Sequence, residues 1–86
     1  MPGLSESASH TARRRYKDLS GNSGVLAYEP GHRFIRIWFV GGDGYEYDET
    51  KPGKRDVDAM KRLAQAGRGL ATYINRHVRD RYARRL

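Results

Sequence analysis

The clearest strand-like pattern lies between Arg33 and Val40, where β-branched and aromatic residues dominate. The alternate positions of this run form two sets, Ile35, Ile37 and Phe39 in one and Phe34, Arg36 and Trp38 in the other. A period of two among β-branched and aromatic residues predicts a strand. Two shorter runs, residues 24–28 and 45–47, have the same character and are set off by turn-forming residues. The pattern predicts a three-stranded antiparallel β-meander.

The period changes to that of a helix near Asp56, which we expect to cap the first helix. Gly67 is expected to end that helix, and a second helix is predicted from Leu70 to about Ala83. The fold class is therefore α+β, with two α-helices packed on one face of the sheet. The main buried set is expected to be Ile35, Ile37, Phe39, Val57, Met60, Leu63, Ile74, Val78 and Tyr82.

Residues 1–22 are dominated by small polar residues and show no apolar periodicity. Such a composition is typical of a disordered segment. We therefore predict a disordered basic N-terminal arm over 1–22, carrying Arg13, Arg14 and Arg15, and a folded domain over 23–86.

The second set of the central strand should face away from the helices, because two short helices cover only one side of the sheet. This face would present Phe34, Arg36 and Trp38. Three interpretations follow from an aromatic and arginine surface of this kind. It stacks unpaired bases, as sheet-surface RNA binders do; it forms an interface with a protein partner or a second copy of the chain; or the segment 1–22 covers it.

Charge is unevenly distributed along the 86 residues, whose formal net charge is +7. The middle, residues 23–67, is neutral, whereas residues 68–86 hold six arginines and one aspartate. An arginine excess suits contacts to phosphate and raises the expectation of RNA or DNA as partner. A solvated face that favours solubility is the alternative. The predicted nucleic-acid-binding residues are Arg36, Trp38, Arg68, Arg76, Arg79, Arg84 and Arg85, with Arg13–Arg15 as a further contact.

Several functional classes find no support in the residues. There is no cysteine, and the three histidines, His10, His32 and His77, are scattered along the chain. We expect no metal site, no cofactor and no catalytic residue, and hence a binding protein and not an enzyme. No apolar run approaches the roughly 20 residues that span a bilayer. The N-terminus lacks a secretory signal, so a cytoplasmic protein without membrane attachment is expected.

From Ser23 to Tyr82 the chain resembles the KTSC domain, a short module found alone in bacteria and at the C-terminus of some lysyl-tRNA synthetases. The matching motifs are Phe39, Gly42, Tyr45 and Tyr47 in the family's F-x-x-G-x-x-Y-x-Y pattern, and Tyr73-Ile74-Asn75, Val78 and Tyr82 in its closing motif. The loop 48–55 is longer than the family's. The resemblance implies a small α+β fold, and the association with a tRNA synthetase implies RNA binding.

Two local patterns leave alternatives open. Tyr45 and Tyr47 lie on one face of a strand, where they either complete the core or form a stacking platform. The two helices and their Gly67-Arg68-Gly69 turn can also be interpreted as a helix-turn-helix. Its recognition helix would then present Thr72, Asn75, Arg76 and Arg79.

Overall fold

The computed structural model describes residues 13–21 and 23–86. Five antiparallel strands form one sheet, in which each strand neighbours the next one along the chain. The strands are β1 (Arg14–Arg15), β2 (Val25–Pro30), β3 (Phe34–Phe39), β4 (Gly44–Asp48) and β5 (Arg84–Arg85). The helices are α1 (Lys54–Ala66) and α2 (Leu70–Tyr73), and α2 continues as a π-helical segment, Ile74–Val78. The predicted α+β class is confirmed, but the sheet has five strands and not three.

The register of the central strands determines which side chains meet the helices. Ile37 lies opposite Tyr28 on β2 and Tyr45 on β4, and Ile35 lies opposite Tyr47. Paired residues of antiparallel strands share a face, so these side chains all project from the same side of the sheet. Ile35 and Ile37 are fully buried there, in one cluster with side chains of both helices. The predicted inner face of the central strand is therefore confirmed.

The hydrophobic core agrees largely with the predicted set. Six of its nine members are buried, namely Ile35, Ile37, Val57, Met60, Ile74 and Val78. The other three are partly buried against this cluster, namely Phe39, Leu63 and Tyr82. Further buried members outside this predicted set are Tyr16, Val25, Tyr28, Tyr47, Ala64 and Leu70.

The segment before Ser23 differs from the prediction of a disordered arm. Arg14 and Arg15 pair with Tyr28 and Ala27 as the first edge strand. The side chain of Tyr16 is 3% exposed, and its Oη accepts a hydrogen bond (3.3 Å) from the backbone N–H of Leu70. One buried ring and a few backbone hydrogen bonds therefore order residues 13–21, although these residues have no apolar periodicity. The remainder of the predicted arm, 1–12 and 22, lies outside the described residues.

The C-terminal helix is shorter than predicted. It ends at Val78 and not near Ala83, because Arg79 has φ 48° and ψ −116° and reverses the chain. The N–H of Ala83 then donates to the carbonyl of Glu46 (2.7 Å), and β5 joins the edge of β4. The reversal brings the Tyr82 ring against Tyr45, with ring centroids 4.5 Å apart. Sheet hydrogen bonds and this aromatic contact replace the last predicted helical turn.

The turn between the helices agrees with the expected role of Gly67. Its φ of 80° is left-handed, and its N–H donates to the carbonyl of Leu63 (2.9 Å). Glycine adopts this conformation without the steric cost that a Cβ atom adds. The start of α1 differs slightly, since the helix begins at Lys54 and Asp56 lies within its first turn.

Candidate nucleic-acid interface

The outer face of the sheet, turned away from the helices, carries a ladder of alternating charges. Arg36 Nε donates to Glu46 Oε1 (2.8 Å), and Arg36 Nη1 lies 3.5 Å from Glu29 Oε1. Arg84 Nη2 reaches the same oxygen of Glu46 at 3.2 Å. The hydrogen bond to Glu46 holds the pKa of Arg36 above its usual value. We call these four residues the sheet-face ladder; its two arginines are matched by two carboxylates.

The aromatic side chains of the outer face are partly covered by the protein itself. The guanidinium carbon of Arg13 lies 3.9 Å from the ring centroid of Trp38. The indole also lies so close to Gly44 that a Cβ atom there would be 2.6 Å from Trp38 Cδ1. Phe34 packs against Gly31 in the same way. The sequence left three interpretations of this face open. The contact between Arg13 and Trp38 agrees with one of them, in which the N-terminal segment covers the face.

A groove follows the second helix on the other side of the molecule. Its first part, the polar cleft, has a volume of about 240 Å³ and is lined by Ser20, Ser23, Gly24, Gly69, Ala71, Thr72 and Asn75. Its second part, the aromatic cleft, has a volume of about 210 Å³ and is lined by Phe39, Tyr45, Tyr47, Ile74, Asn75, Arg79, Asp80 and Tyr82. Asn75 lines both parts, so we treat them as one helix groove.

The π-helical segment brings polar side chains of the helix to the aromatic cleft. The N–H of Arg79 donates to the carbonyl of Ile74 (2.6 Å), which closes a wider turn than that of an α-helix. Asn75 and Arg79 consequently line the same cleft while Ile74 and Val78 stay buried. Single π-helical turns often occur at functional sites.

Aromatic rings give the aromatic cleft its walls. Tyr82 stacks in a tilted arrangement on Tyr45 at 4.5 Å and meets Tyr47 edge-on at 6.4 Å. Phe39 approaches Tyr45 edge-on at 5.9 Å. Tyr47 is 1% exposed, whereas Tyr45 and Tyr82 are half-buried. Of the two tyrosines left open by the sequence, Tyr47 therefore belongs to the core, and Tyr45 contributes accessible ring surface.

The buried position of Tyr47 predicts a loss of stability at alkaline pH. Burial, followed by the nearby Tyr45 and Tyr82, raises the pKa of Tyr47 to about 12. The unfolded chain loses this proton near pH 10, so between about pH 10 and 12 the folded state binds more protons and its stability falls as pH rises. Urea unfolding at a series of pH values should show this fall. The Tyr47→Phe variant should show a smaller one, and an equal fall in both proteins would contradict the assignment.

Four exposed arginines lie in the helix groove or next to its lining residues. Arg79 lines it, Arg68 precedes Gly69 in its wall, and Arg76 follows Thr72 by one helical turn. Arg85 lies over the ring of Tyr45, with its guanidinium carbon 5.9 Å from the centroid. Within residues 13–21 and 23–86, none of these four forms an ion pair. Arg79 and Asp80 are the charged residues among those that line the two clefts, and their charges cancel. The positive charge near the groove therefore comes from Arg68, Arg76 and Arg85.

The structure thus separates the predicted site residues into two groups. Arg36, Trp38 and Arg84 lie on the outer face of the sheet. Arg79 lines the helix groove and Arg85 lies beside its Tyr45, whereas Arg68 and Arg76 are exposed chain neighbours of the lining residues Gly69 and Asn75. Arg84 and Arg85 are assigned to opposite sides because successive residues of a strand point to opposite faces. The predicted nucleic-acid-binding residues are therefore divided between two surfaces, and their role in binding stays a prediction.

Some residues of the groove were absent from the predicted site. Thr72 and Asn75 share a helical face with the arginines and appeared in the helix-turn-helix alternative; here they line the groove opposite Ser20 and Ser23. Periodicity on the helix was sufficient to find them. Nothing in the local sequence around Ser20 and Ser23 indicates their place in the groove, since it depends on the docking of residues 13–21.

A separate polar network fastens the second helix to the first. Tyr73 Oη donates to Asp56 Oδ1 (2.6 Å), and Arg81 Nη2 lies 3.7 Å from Asp56 Oδ2. Arg81 also donates to the backbone carbonyl of His77 (2.7 Å). The imidazole ring of His77 packs on the ring of Tyr73. Burial and the bond to Asp56 raise the pKa of Tyr73. The guanidinium of Arg81 therefore already has partners within the protein, unlike the arginines of the groove, which form no ion pair among the described residues.

Comparisons with models of protein families, with curated proteins and with solved structures find no match for this chain. The resemblance to the KTSC domain therefore stays a prediction from its motifs. None of the helices within residues 13–21 and 23–86 has the length and apolar character needed to cross a membrane.

Proposed function

We propose that this protein is a binding module, without catalytic activity, that holds nucleic acid in the helix groove. The observation that carries the proposal is a set of exposed arginines at a groove with polar and aromatic parts, none of which forms an ion pair among the described residues. Arg79 lines the groove, Arg85 lies beside its Tyr45, and Arg68 and Arg76 are the chain neighbours of its lining residues Gly69 and Asn75. Arginine binds phosphate through planar, forked hydrogen bonds. An excess of such groups without carboxylate partners favours a polyanion over a neutral or basic ligand.

The distribution of ion pairs favours the groove over the outer face of the sheet. On that face Arg36 and Arg84 already bind Glu46, so a phosphate would have to compete with a carboxylate for each of them. The exposed arginines of the groove form no ion pair with any other described residue, so no such pair has to break when they bind a phosphate. RNA is the first candidate because the motifs that resemble the KTSC domain imply it.

The alternative is a protein-interaction module, most simply a homodimer, that uses the outer face around Trp38. The half-buried Phe34 and Trp38 supply the apolar area for such an interface. The sheet-face ladder would lie beside them, with charges that are already paired. Sedimentation at two protein concentrations measures self-association directly, and the molar mass should not change if the groove is the functional surface.

The salt dependence of nucleic-acid binding tests whether the helix groove holds the ligand. Replacing both Arg76 and Arg79 by glutamine should weaken the binding of every sequence alike, because these side chains contact phosphate and not base edges. Each phosphate contact on a single strand contributes about −0.7 to the slope of log K against log salt concentration, so the slope should flatten by about 1–2 units. Fluorescence anisotropy with a labelled RNA oligonucleotide measures both quantities.

The matched control is the double variant Arg33→Gln with Arg62→Gln. Both arginines are exposed, neither forms an ion pair among the described residues, and neither lines the groove. The control loses the same two charges, so a general effect of net charge would weaken both variants equally. If the two double variants bind RNA equally, the arginines of the groove do not hold the ligand. If the wild-type protein binds no RNA, the interaction module is favoured.

A further inference from the structure

We infer that the aromatic cleft accepts one unstacked base, so that the protein selects single-stranded over duplex nucleic acid. This inference rests on the proposed function and specifies which part of the nucleic acid enters the cleft. The cleft measures about 210 Å³. Pockets for drug-sized ligands begin at about 300 Å³, so this one is suited to a single ring system.

The ring surface of the cleft supplies a stacking partner. Tyr45 and Tyr82 pack on each other at 4.5 Å, and both keep accessible surface while lining the cleft. Their mutual contact holds the rings in place, so a base that stacks there meets a surface whose orientation is already fixed. Every base has a flat face, which makes such stacking tolerant of sequence.

Charge determines which end of a nucleotide enters. The carboxylate of Asp80 lines the cleft and would repel a phosphate, whereas Arg79 and Arg85 lie at the same cleft and would attract it. A nucleotide therefore satisfies the site when its base lies on the tyrosines and its phosphate lies beside the arginines. Asn75 offers an amide donor and acceptor that can meet the polar edge of a base.

The polar cleft continues the path of the strand. Ser20, Ser23 and Thr72 supply hydroxyl groups there, and the exposed Arg68 and Arg76 are the chain neighbours of its lining residues Gly69 and Asn75. Hydroxyl groups and arginines are common partners of the sugar-phosphate backbone. A strand with one base in the aromatic cleft can therefore run along the helix with its backbone on these groups. Bases of a duplex remain stacked on their neighbours and cannot enter the cleft in this way.

Competition against a labelled single-stranded RNA tests the inference. The competitors are the same unlabelled strand, its duplex, and an abasic strand of equal length and charge. The wild-type protein should bind the strand with bases about 5- to 150-fold more tightly than the abasic strand, which is the range that one base–aromatic stack contributes. The duplex should compete no better than the abasic strand.

The Tyr82→Leu variant should lose this preference and bind both strands as the wild-type protein binds the abasic one. Tyr82→Phe keeps the ring and should keep the preference, and thermal unfolding of both variants checks that they fold. If Tyr82→Leu does not fold, Tyr45→Leu replaces it as the test, because Tyr45 is the other half-buried ring that lines the same cleft. A folded Tyr82→Leu or Tyr45→Leu protein that keeps the full preference overturns the inference.

Failure of this inference can be distinguished from failure of the proposed function. If the wild-type protein binds abasic and base-containing strands equally, and the Arg76 and Arg79 double variant weakens both, the groove binds phosphate and the cleft holds no base. If the wild-type protein binds none of the competitors, both the proposed function and the inference are overturned.

Discussion

Replacing Tyr16 by alanine should lower the free energy of unfolding by about 3–5 kcal/mol, the range for truncating a buried aromatic side chain. The ring is 3% exposed and joins the core cluster between the sheet and the second helix. Its loss removes apolar contacts and also leaves the N–H of Leu70 without the hydroxyl that it donates to. Small domains have only about 5–15 kcal/mol of total stability, so the variant should be markedly less stable.

Two controls separate the causes of this effect in urea unfolding. Tyr16→Phe keeps the ring and removes the hydroxyl, so it should cost about 1 kcal/mol, the typical net value of one hydrogen bond. Leu19→Ala lies in the same segment, but Leu19 is 57% exposed and should change stability little. If Tyr16→Ala unfolds with the wild-type midpoint, the segment 13–21 does not belong to the folded domain.

Replacing Ile37 by alanine should cost about 2–5 kcal/mol, because a buried aliphatic side chain leaves a cavity when it is shortened. Ile37 lies between Tyr28 and Tyr45 in the register of the sheet and has no exposed surface. Strands on both sides restrict the relaxation that could fill the cavity. The expected loss is therefore near the upper part of the range.

Leu26→Ala provides the comparison, since Leu26 is in the neighbouring strand β2 but is 46% exposed. Surface substitutions of this kind usually change stability by less than about 0.5 kcal/mol. Equal losses for Ile37→Ala and Leu26→Ala, measured by thermal or urea unfolding, would show that the two faces of the sheet are assigned wrongly.

The parts of the fold that periodicity determines could be predicted from the sequence. Alternation in the central strand identified Ile35 and Ile37 as inner residues, and helical spacing identified Ile74 and Val78. Both edge strands were missed because they are two residues long and consist of arginine, which has no marked preference for strands. They form through backbone hydrogen bonds to strands that are distant in the sequence, which local preference does not reveal.

The sequence predicted which arginines belong to the candidate site better than it predicted how they are arranged in space. The arginine excess after residue 67 and the exposed face of the second helix both pointed to the arginines of the groove. The pairing of Arg36 with Glu29 and Glu46 depends on the register of three strands, so the sequence alone did not show that this arginine is neutralised. The aromatic cleft depends on the reversal at Arg79, which breaks the helical spacing assumed for Tyr82.

The short edge strands also affect how copies of the protein meet. One edge of the sheet is Arg14–Arg15 and the other is Arg84–Arg85, and all four side chains are exposed. Open sheet edges invite the addition of a strand from another molecule, and short edges with like charge oppose it. Here either edge of one molecule would meet arginine on either edge of a second, so repulsion acts in every edge-to-edge pairing. Aggregation through the sheet edges should therefore be slowest at low ionic strength and should accelerate as salt screens the arginines.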